Sequence, residues 1–227
     1  MTVTVVIPTL NEEQALPQTL AQTLALAFDE VLVVDGGSND RTCQIVSSFN
    51  PSATLLTSRP GRAVQMNAGA AAGRGDVLLF LHADTRLPEN AKHAIVGALQ
   101  EPDCPGGRFD LRFDRDCPLS RLIAFMINLR SRVSGIATGD QAIFVRRSVF
   151  ERMGGFAPIP LMEDIDLTRR LNRMGPIACL RARVVTSFRR WEARGPIRTI
   201  LLMWLLRFLY WTGVSPHTLS HWYSHAR

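Results

Sequence analysis

Lysine is nearly absent from this 227-residue chain: Lys92 is the only one among 26 basic side chains, and the rest are arginine. With a formal charge of +6, that bias suits a polyanionic neighbour such as phosphate, nucleic acid or a membrane lipid, because guanidinium presents a planar, multi-donor head. Cysteine is scarce too. Cys43, Cys104, Cys117 and Cys179 stand far apart with no CxxC pair, which argues against a zinc ribbon, a dithiol redox centre or a disulfide-stapled miniprotein, and they read as reduced thiols of a cytosolic protein. No internal repeat or low-complexity stretch points to a solenoid or a disordered chain. The opening Thr2-Val3-Thr4-Val5-Val6-Ile7 has the character of a strand, without the basic segment and long apolar run of a secretory signal, and the expected location is cytoplasmic. A GxGxxG fingerprint is missing from the first strand–helix junction, which counts against an NAD or FAD enzyme.

What is present describes an ordinary globular protein: 46% hydrophobic and 20% charged residues, with 13 prolines spread along the chain. The length suits one core with an appendage. We expect a main domain at 1–195 and an apolar helical extension at 196–227. Residues 3–7, 31–34 and 77–81 are short continuous apolar runs, the pattern of parallel strands buried on both faces, and each precedes a helical pattern. Asn11 is placed to cap the first helix, through Leu16, Leu20, Leu24 and Ala27; Ser38 or Asp40 is placed to cap the second, through Cys43, Val46 and Phe49. A weaker strand at 53–57 precedes an alanine-rich segment at 61–72, and Pro88 opens a helix through Ala91, Ile95 and Leu99. Beyond residue 101 come a strand near 107–113, a helix at 119–133 and a strand near 141–146. The fold class is therefore α/β, an open and mostly parallel sheet flanked by helices. In such sheets ligands bind beyond the carboxyl ends of strands, so Pro8-Thr9, Asp35 to Ser38 and His82 to Asp84 should converge on one crevice.

Three of these segments carry candidate chemistry, each beside a plainer reading. The Asp35-Gly36-Gly37-Ser38-Asn39-Asp40 junction lets backbone approach phosphate or ribose at a helix start, or is a turn with a cap. His82 and Asp84, two apart on an extended backbone, point to one side and can share a divalent ion; the alternative is that Asp84 caps the next helix and His82 is a satisfied strand-end residue. At 161–171 three acids open a helix expected to run to Gly175-Pro176, and the helix dipole accounts for some of them. Asp166 has Arg169 and Arg170 at i+3 and i+4 and belongs to a solvated, ion-paired face. Asp164 lies on the stripe of Leu167, Thr168 and Leu171, the position for a carboxylate accepting a proton in a cleft. Asp140, in Gly139-Asp140-Gln141, and Arg190-Trp191 are expected in loops by the same cleft; by default Asp140 is a turn residue and the arginines a solvated patch, while arginine suits a diphosphate and tryptophan a sugar face.

Taken in order, 7–13, 34–42, 61–69, His82-Ala83-Asp84 and 163–167 resemble the family 2 glycosyltransferases of the GT-A fold, over about residues 2–191, in a bacterial subgroup with HAD where DxD is common. The resemblance implies an inverting transferase that moves a sugar from a nucleoside-diphosphate sugar, UDP-linked by preference, to a hydroxyl acceptor. It implies that Thr9, Glu12 and Asp35 serve the donor with Thr9 and Asp35 at the nucleoside, that Arg62 lies near the donor phosphates, and that Asp84, with His82, holds Mn²⁺ or Mg²⁺. Asp164 is then the base, with Asp140, Glu163, Arg190 and Trp191 on the acceptor or diphosphate side. This chain departs from the family at Gly36, where a second Asp is common. A nucleotidyltransferase would need a glycine-rich basic loop after the first strand, which Pro8-Thr9-Leu10-Asn11 does not supply; a non-catalytic, membrane-associated protein of the same fold is disfavoured by the intact Asp84 and Asp164.

The most apolar stretch, 197–214, is broken by Arg207 and flanked by Arg194 and Arg198. It is too short and too charged to span a bilayer comfortably. Its aromatic residues and basic flanks suit a helix lying in the membrane interface near a lipid-linked acceptor, peripheral on the inner face; a core helix or dimer face fits equally. No nucleic-acid partner is expected.

Overall fold

The computed structural model describes residues 1–225, with the side chains at 190, 193, 194, 224 and 225 outside the description. The apolar runs form the centre of the sheet. β1 (Val3–Thr9), β2 (Glu30–Asp35), β3 (Thr54–Thr57) and β4 (Val77–Phe80) are parallel neighbours. β5 (Thr85–Arg86), β6 (Gly106–Phe113), β7 (Ile143–Arg146) and β8 (Ala178–Thr186) complete the order β3-β2-β1-β4-β7-β6-β8-β5. β7 runs antiparallel between β4 and β6, so the second half of the sheet is mixed.

Alternation along β1 sends Val3, Val5 and Ile7 into one core and Val6 into another. The first core is closed by α1 (Leu16–Ala25), α2 (Thr42–Ser48), α4 (Ala91–Ala98) and α5 (Pro118–Ser134). The second is closed by α3 (Arg62–Ala72), α6 (Arg147–Arg152) and α7 (Glu163–Leu171). Covering both faces is what permits β4 to be hydrophobic throughout and β1 and β2 to be so along their centres. Because β1 connects outward to β2 on one side and β4 lies on the other, the strand order reverses there and a crevice opens at the carboxyl ends.

Several local expectations are corrected. Asn11 does not cap α1: it is exposed in a left-handed conformation (φ 55°), and its Oδ1 accepts from the Asn39 N–H, tying the first loop to the second. Neither Ser38 nor Asp40 is the cap of α2: Arg41 holds that position without a side-chain cap bond, and Asp40 Oδ1, one residue before it, accepts from the N–H of Thr42 at 2.9 Å. α7 stops at Leu171, and turns carry the chain to Gly175. The C-terminal segment is two helices, α9 (Pro196–Trp211) and α10 (Pro216–His225), after the short α8 (Arg189–Arg194), where an arginine-bearing loop was expected. Among the described residues no helix is long and apolar enough to cross a membrane.

Under α5, Arg108 is fully buried and is held by Asp110, whose two oxygens also accept from Arg132 Nη2 at 2.9 and 2.7 Å. Removing Asp110 leaves a buried cation unopposed, so Asp110→Ala should lower unfolding free energy by about 3–5 kcal/mol in urea titrations, and a loss below about 1 kcal/mol would show the cluster to be solvated.

Candidate functional site

Beyond the ends of β4 and β7 lies a cleft of about 630 Å³ that brings together Arg62, His82, Asp84, Asp140, Glu163, Asp164 and Trp191. Its chemistry is set by two loops. After β4 the chain turns at 82–84 with Ala83 buried while His82 and Asp84 lie partly open, so the two side chains leave on the same side as their spacing predicts. Across the cleft Thr138 leads into a single 3₁₀ turn, Gly139–Gln141, closed by a capping box with Gln141. That turn lies close against the histidine: a Cβ on Gly139 would come within 2.3 Å of His82 Nε2, so a larger residue there would require the imidazole to shift.

The N–H of Gly139 donates to Asp164 Oδ2 at 2.9 Å, and the N–H of Ile165 donates to Asp164 Oδ1 at 2.7 Å. Asp164 sits in the first turn of α7 and is in no ion pair among the described residues, so its carboxylate is oriented by backbone alone. Two non-glycine residues in left-handed conformations bracket this apparatus, Ala142 (φ 47°) after the 3₁₀ turn and Met162 (φ 70°) before α7. Backbone of that kind carries a local cost and clusters where side chains must be aimed. Asp166, by contrast, pairs with Arg170 at 2.7 Å, and that arginine also donates to the carbonyls of Met153 and Gly155. The pair is a half-buried tie between α7 and the preceding loop; the expected solvated face and the pairing with Arg169 are not found.

Glu163 is buried beside Asp164, with Arg62 Nη1 at 4.0 Å from its Oε1. Burial, then the charge of Asp164, push its carboxyl up to about 7, and Arg62 only partly opposes this. On the other wall burial, reinforced by the like charge of Arg207, brings Arg130 down to about 10, against the pull of Asp140 and Asp164. Arg130 Nη2 and Asp140 Oδ1 are both shut from water without a hydrogen-bond partner among the described residues. Trp191 reaches the cleft from α8, but one face stacks on Phe188 (centroids 6.3 Å apart, 10° between planes) and its edge meets Phe113. The side chain of Arg190 lies outside the described residues.

Thr9 and Asp35 are absent from the lining of this cleft and form a separate cluster at the ends of β1 and β2. Asp35 Oδ2 accepts from the N–H groups of Gly37 and Ser38 at 2.8 and 2.9 Å, and Oδ1 accepts from the Ser38 hydroxyl. Burial alone would raise its carboxyl; these bonds outweigh it and hold it below the ordinary carboxylate value. Thr9 is buried, its Oγ1 3.4 Å from the carbonyl oxygen of Val34. Glu12 gives its N–H to Thr42 Oγ1 at 2.9 Å. Gln65 was missed in the sequence. Its Nε2 donates to the carbonyls of Thr9 and Val34 at 2.7 and 2.8 Å, stapling the two strand ends, and a Cβ at Gly36 would lie 3.1 Å from its amide. Gly36, where the resemblance leads one to expect an aspartate, is thus matched by a glutamine that fills the same space. Arg130 was missed as well; its signal is a cation ending the apolar stripe Leu119, Leu122, Ile123, Met126, Ile127 along α5.

Among the described residues no three His, Cys, Asp or Glu side chains cluster as a metal cage. His82 and Asp84 nevertheless fit a Mg²⁺ or Mn²⁺ that takes one or two protein ligands and completes its shell from substrate phosphates, since both face the cleft and Asp84 is in no ion pair among the described residues.

Residues 4–159 match the family model described as glycosyl transferase family 2. The chain is 30% identical over 197 residues to a probable glycosyltransferase, YdaM, of Bacillus subtilis (strain 168), covering 76% of this chain and 47% of that one. It is 33% identical over 168 residues to the undecaprenyl-phosphate 4-deoxy-4-formamido-L-arabinose transferase of Pseudomonas paraeruginosa (strain DSM 24068 / PA7), covering 66% and 49%. It therefore spans about half the length of the curated relatives it matches. Among solved structures, residues 1–349 of S. aureus TarS in complex with UDP-GlcNAc superpose with a TM-score of 0.66 at 21% identity, over 82% of this chain and 58% of that one. The mannosyltransferase PcManGT from Pyrobaculum calidifontis, in complex with GDP-Man and Mn²⁺, gives 0.65 at 23% identity, over 82% and 56%. At these identities the superpositions establish a shared GT-A fold.

The raised Glu163 carboxyl makes a prediction about stability. The folded chain keeps a proton that the unfolded chain releases near 4.5, so this contribution is complete at acid pH and fades as pH rises toward about 7. Glu163→Gln should remove that segment of the melting profile, whereas a wild-type profile parallel to the variant's across this window would show that Glu163 is ionised throughout.

Proposed function

The chain belongs to glycosyl transferase family 2, and we propose that it transfers a sugar from a nucleoside-diphosphate sugar, UDP-linked by preference, to a hydroxyl acceptor with inversion at the anomeric carbon. The observation that carries this reading is the Asp164 carboxylate, fixed by two backbone N–H groups, free of any cationic partner among the described residues and facing the same cleft as His82 and Asp84. The acceptor oxygen attacks the anomeric carbon as the bond to the diphosphate oxygen breaks; the electron pair leaves with the diphosphate and the acceptor proton passes to Asp164. One displacement inverts the centre, so no enzyme nucleophile is needed.

Asp84, with His82, is the pair to hold a divalent cation, which when bound supplies Lewis-acid neutralisation of the diphosphate; the Mn²⁺ in the complex of PcManGT supports this choice. Arg62, at the N-terminus of α3 and partly exposed, is the cation this chain itself brings to the phosphates. Thr9, Glu12 and Asp35 serve the nucleoside end, and the UDP-GlcNAc complex of TarS supports a uridine donor. Asp140 and Trp191 stand on the acceptor side. Undecaprenyl phosphate in the name of one relative supports a lipid-linked acceptor, and with it a protein working peripherally at the cytoplasmic face of the membrane.

Asp164→Asn keeps the hydrogen-bonding shape and removes the base. It should cut kcat by about 10²–10⁴ while leaving donor affinity nearly unchanged, measured by radiolabelled transfer and by calorimetric donor binding. Equal activity in wild type and variant, or a product that keeps the donor's anomeric configuration, would contradict the mechanism.

A further inference from the structure

Exposed large hydrophobic residues are not scattered over this molecule. Of the 17 found exposed, six lie on α5 (Leu119, Leu122, Phe125, Met126, Leu129, Val133) and six on α9 (Ile197, Leu201, Trp204, Leu205, Phe208, Trp211). A concentration of that kind marks an interaction surface rather than ordinary surface apolarity. These two helices also contribute to the lining of the catalytic cleft, Leu119, Leu122 and Met126 from α5 and Met203 and Trp204 from α9, so part of the exposed apolar surface borders the pocket that holds Asp164.

The same helices carry five arginines, 121, 130, 132, 198 and 207, and no acidic residue. Two of the five line the cleft. Arg130 gives Nη1 to the carbonyl of Ile136 at 3.2 Å and keeps Nη2 buried and unpartnered. Arg207 forms no ion pair or hydrogen bond among the described residues and lies near enough to Arg130 for the two charges to repel. Two cations that line one largely apolar cleft, neither of them in an ion pair among the described residues, form a site suited to an anion. The orphaned Asp140 Oδ1 beside them is an acceptor for a hydroxyl.

We infer that Arg130 and Arg207 form the headgroup subsite for an anionic lipid acceptor, whose hydrocarbon lies along the α5–α9 trough and whose hydroxyl is presented to Asp140 and Asp164. This rests on the glycosyltransferase reading of the cleft and extends it by naming the acceptor's charge and the residues that meet it. A second copy of this chain is disfavoured as occupant: Arg121 and Arg132 are already paired with Asp116 and Asp110, and the two helices carry no acid of their own to answer Arg130, Arg198 and Arg207 across such an interface. An interface of aromatic and aliphatic side chains among arginines matches an anionic bilayer surface instead.

The test is co-sedimentation of the full chain with phosphatidylcholine vesicles with and without phosphatidylglycerol, alongside Arg207→Gln, Arg130→Gln/Arg207→Gln and Leu122→Ser/Trp204→Ser. Arg207 is half-exposed on α9, so its single substitution keeps the test readable if the double variant folds poorly. The wild type should prefer the anionic vesicles; the arginine variants should lose that preference by roughly tenfold, and the apolar variant should bind neither vesicle. Equal binding to both vesicles, or no effect of the arginine changes, overturns the proposal. So does stabilisation by inorganic phosphate through the same arginines without vesicle binding, which would point to a soluble phosphate-bearing acceptor. Thermal stabilisation by UDP, followed on the same samples, reports the donor side alone; its absence counts against the transferase reading and not against this subsite.

Discussion

The Gly139 N–H donates to Asp164 while the bare Cα of the same residue lies close to the His82 ring, and this side of the cleft is organised around that double contact. It ties the first turn of α7 to the loop after β4, two segments 80 residues apart in sequence that belong to opposite halves of the sheet. β7 makes the tie possible by running antiparallel between β4 and β6, which returns residues 138–141 to the carboxyl ends of the parallel strands. A side chain at 139 would have to displace the imidazole from its place.

Around that clasp, charge is distributed unevenly and to a purpose. Glu163, Asp164, Asp84 and Asp140 share one cleft with Arg62, Arg130 and Arg207, yet the contacts between the two sets are loose: Arg62 stands 4.0 Å from Glu163. Asp166, one helical step away, is tightly paired to Arg170 and serves structure. With Asp164 oriented by backbone, Arg62 only loosely paired, and Arg130 and Arg207 in no ion pair among the described residues, the cleft retains both kinds of charge for ligands. Burial and the charge of Asp164 bring the Glu163 carboxyl up to about 7, which lessens the repulsion between the two adjacent carboxylates below that pH.

Much of this was legible in the sequence because it follows from short-range pattern. The runs at 3–7, 31–34 and 77–81 are β-branched or leucine-rich and flanked by turn residues, and they became β1, β2 and β4 with their helices in order. The separation of Asp164 from Asp166 followed from helical spacing and the arginine four residues on, although the pair proved half-buried. The parts that escaped depend on partners distant in sequence. Nothing local reveals that Gln65 reaches carbonyls 56 and 31 residues away, or that Asn11 turns left-handed to receive the N–H of Asn39. The apolar character of 197–214 was plain, but its pairing with a second exposed stripe on α5 required the packing, since α5 read alone is an unremarkable amphipathic helix with polar residues between its leucines.

The central claim, that the carboxyl ends of β1, β2 and β4 receive a nucleotide sugar with Asp84 at its diphosphate, is tested most directly by thermal shift of the purified chain. The panel is nucleoside diphosphates and their sugars, each with and without Mn²⁺, in wild type and in Asp84→Ala. Selective stabilisation by one nucleotide class, deepened by Mn²⁺ and with the metal increment lost in the variant, is the expected result. A folded wild-type protein that no nucleotide stabilises, or a metal increment that survives Asp84→Ala, would contradict it.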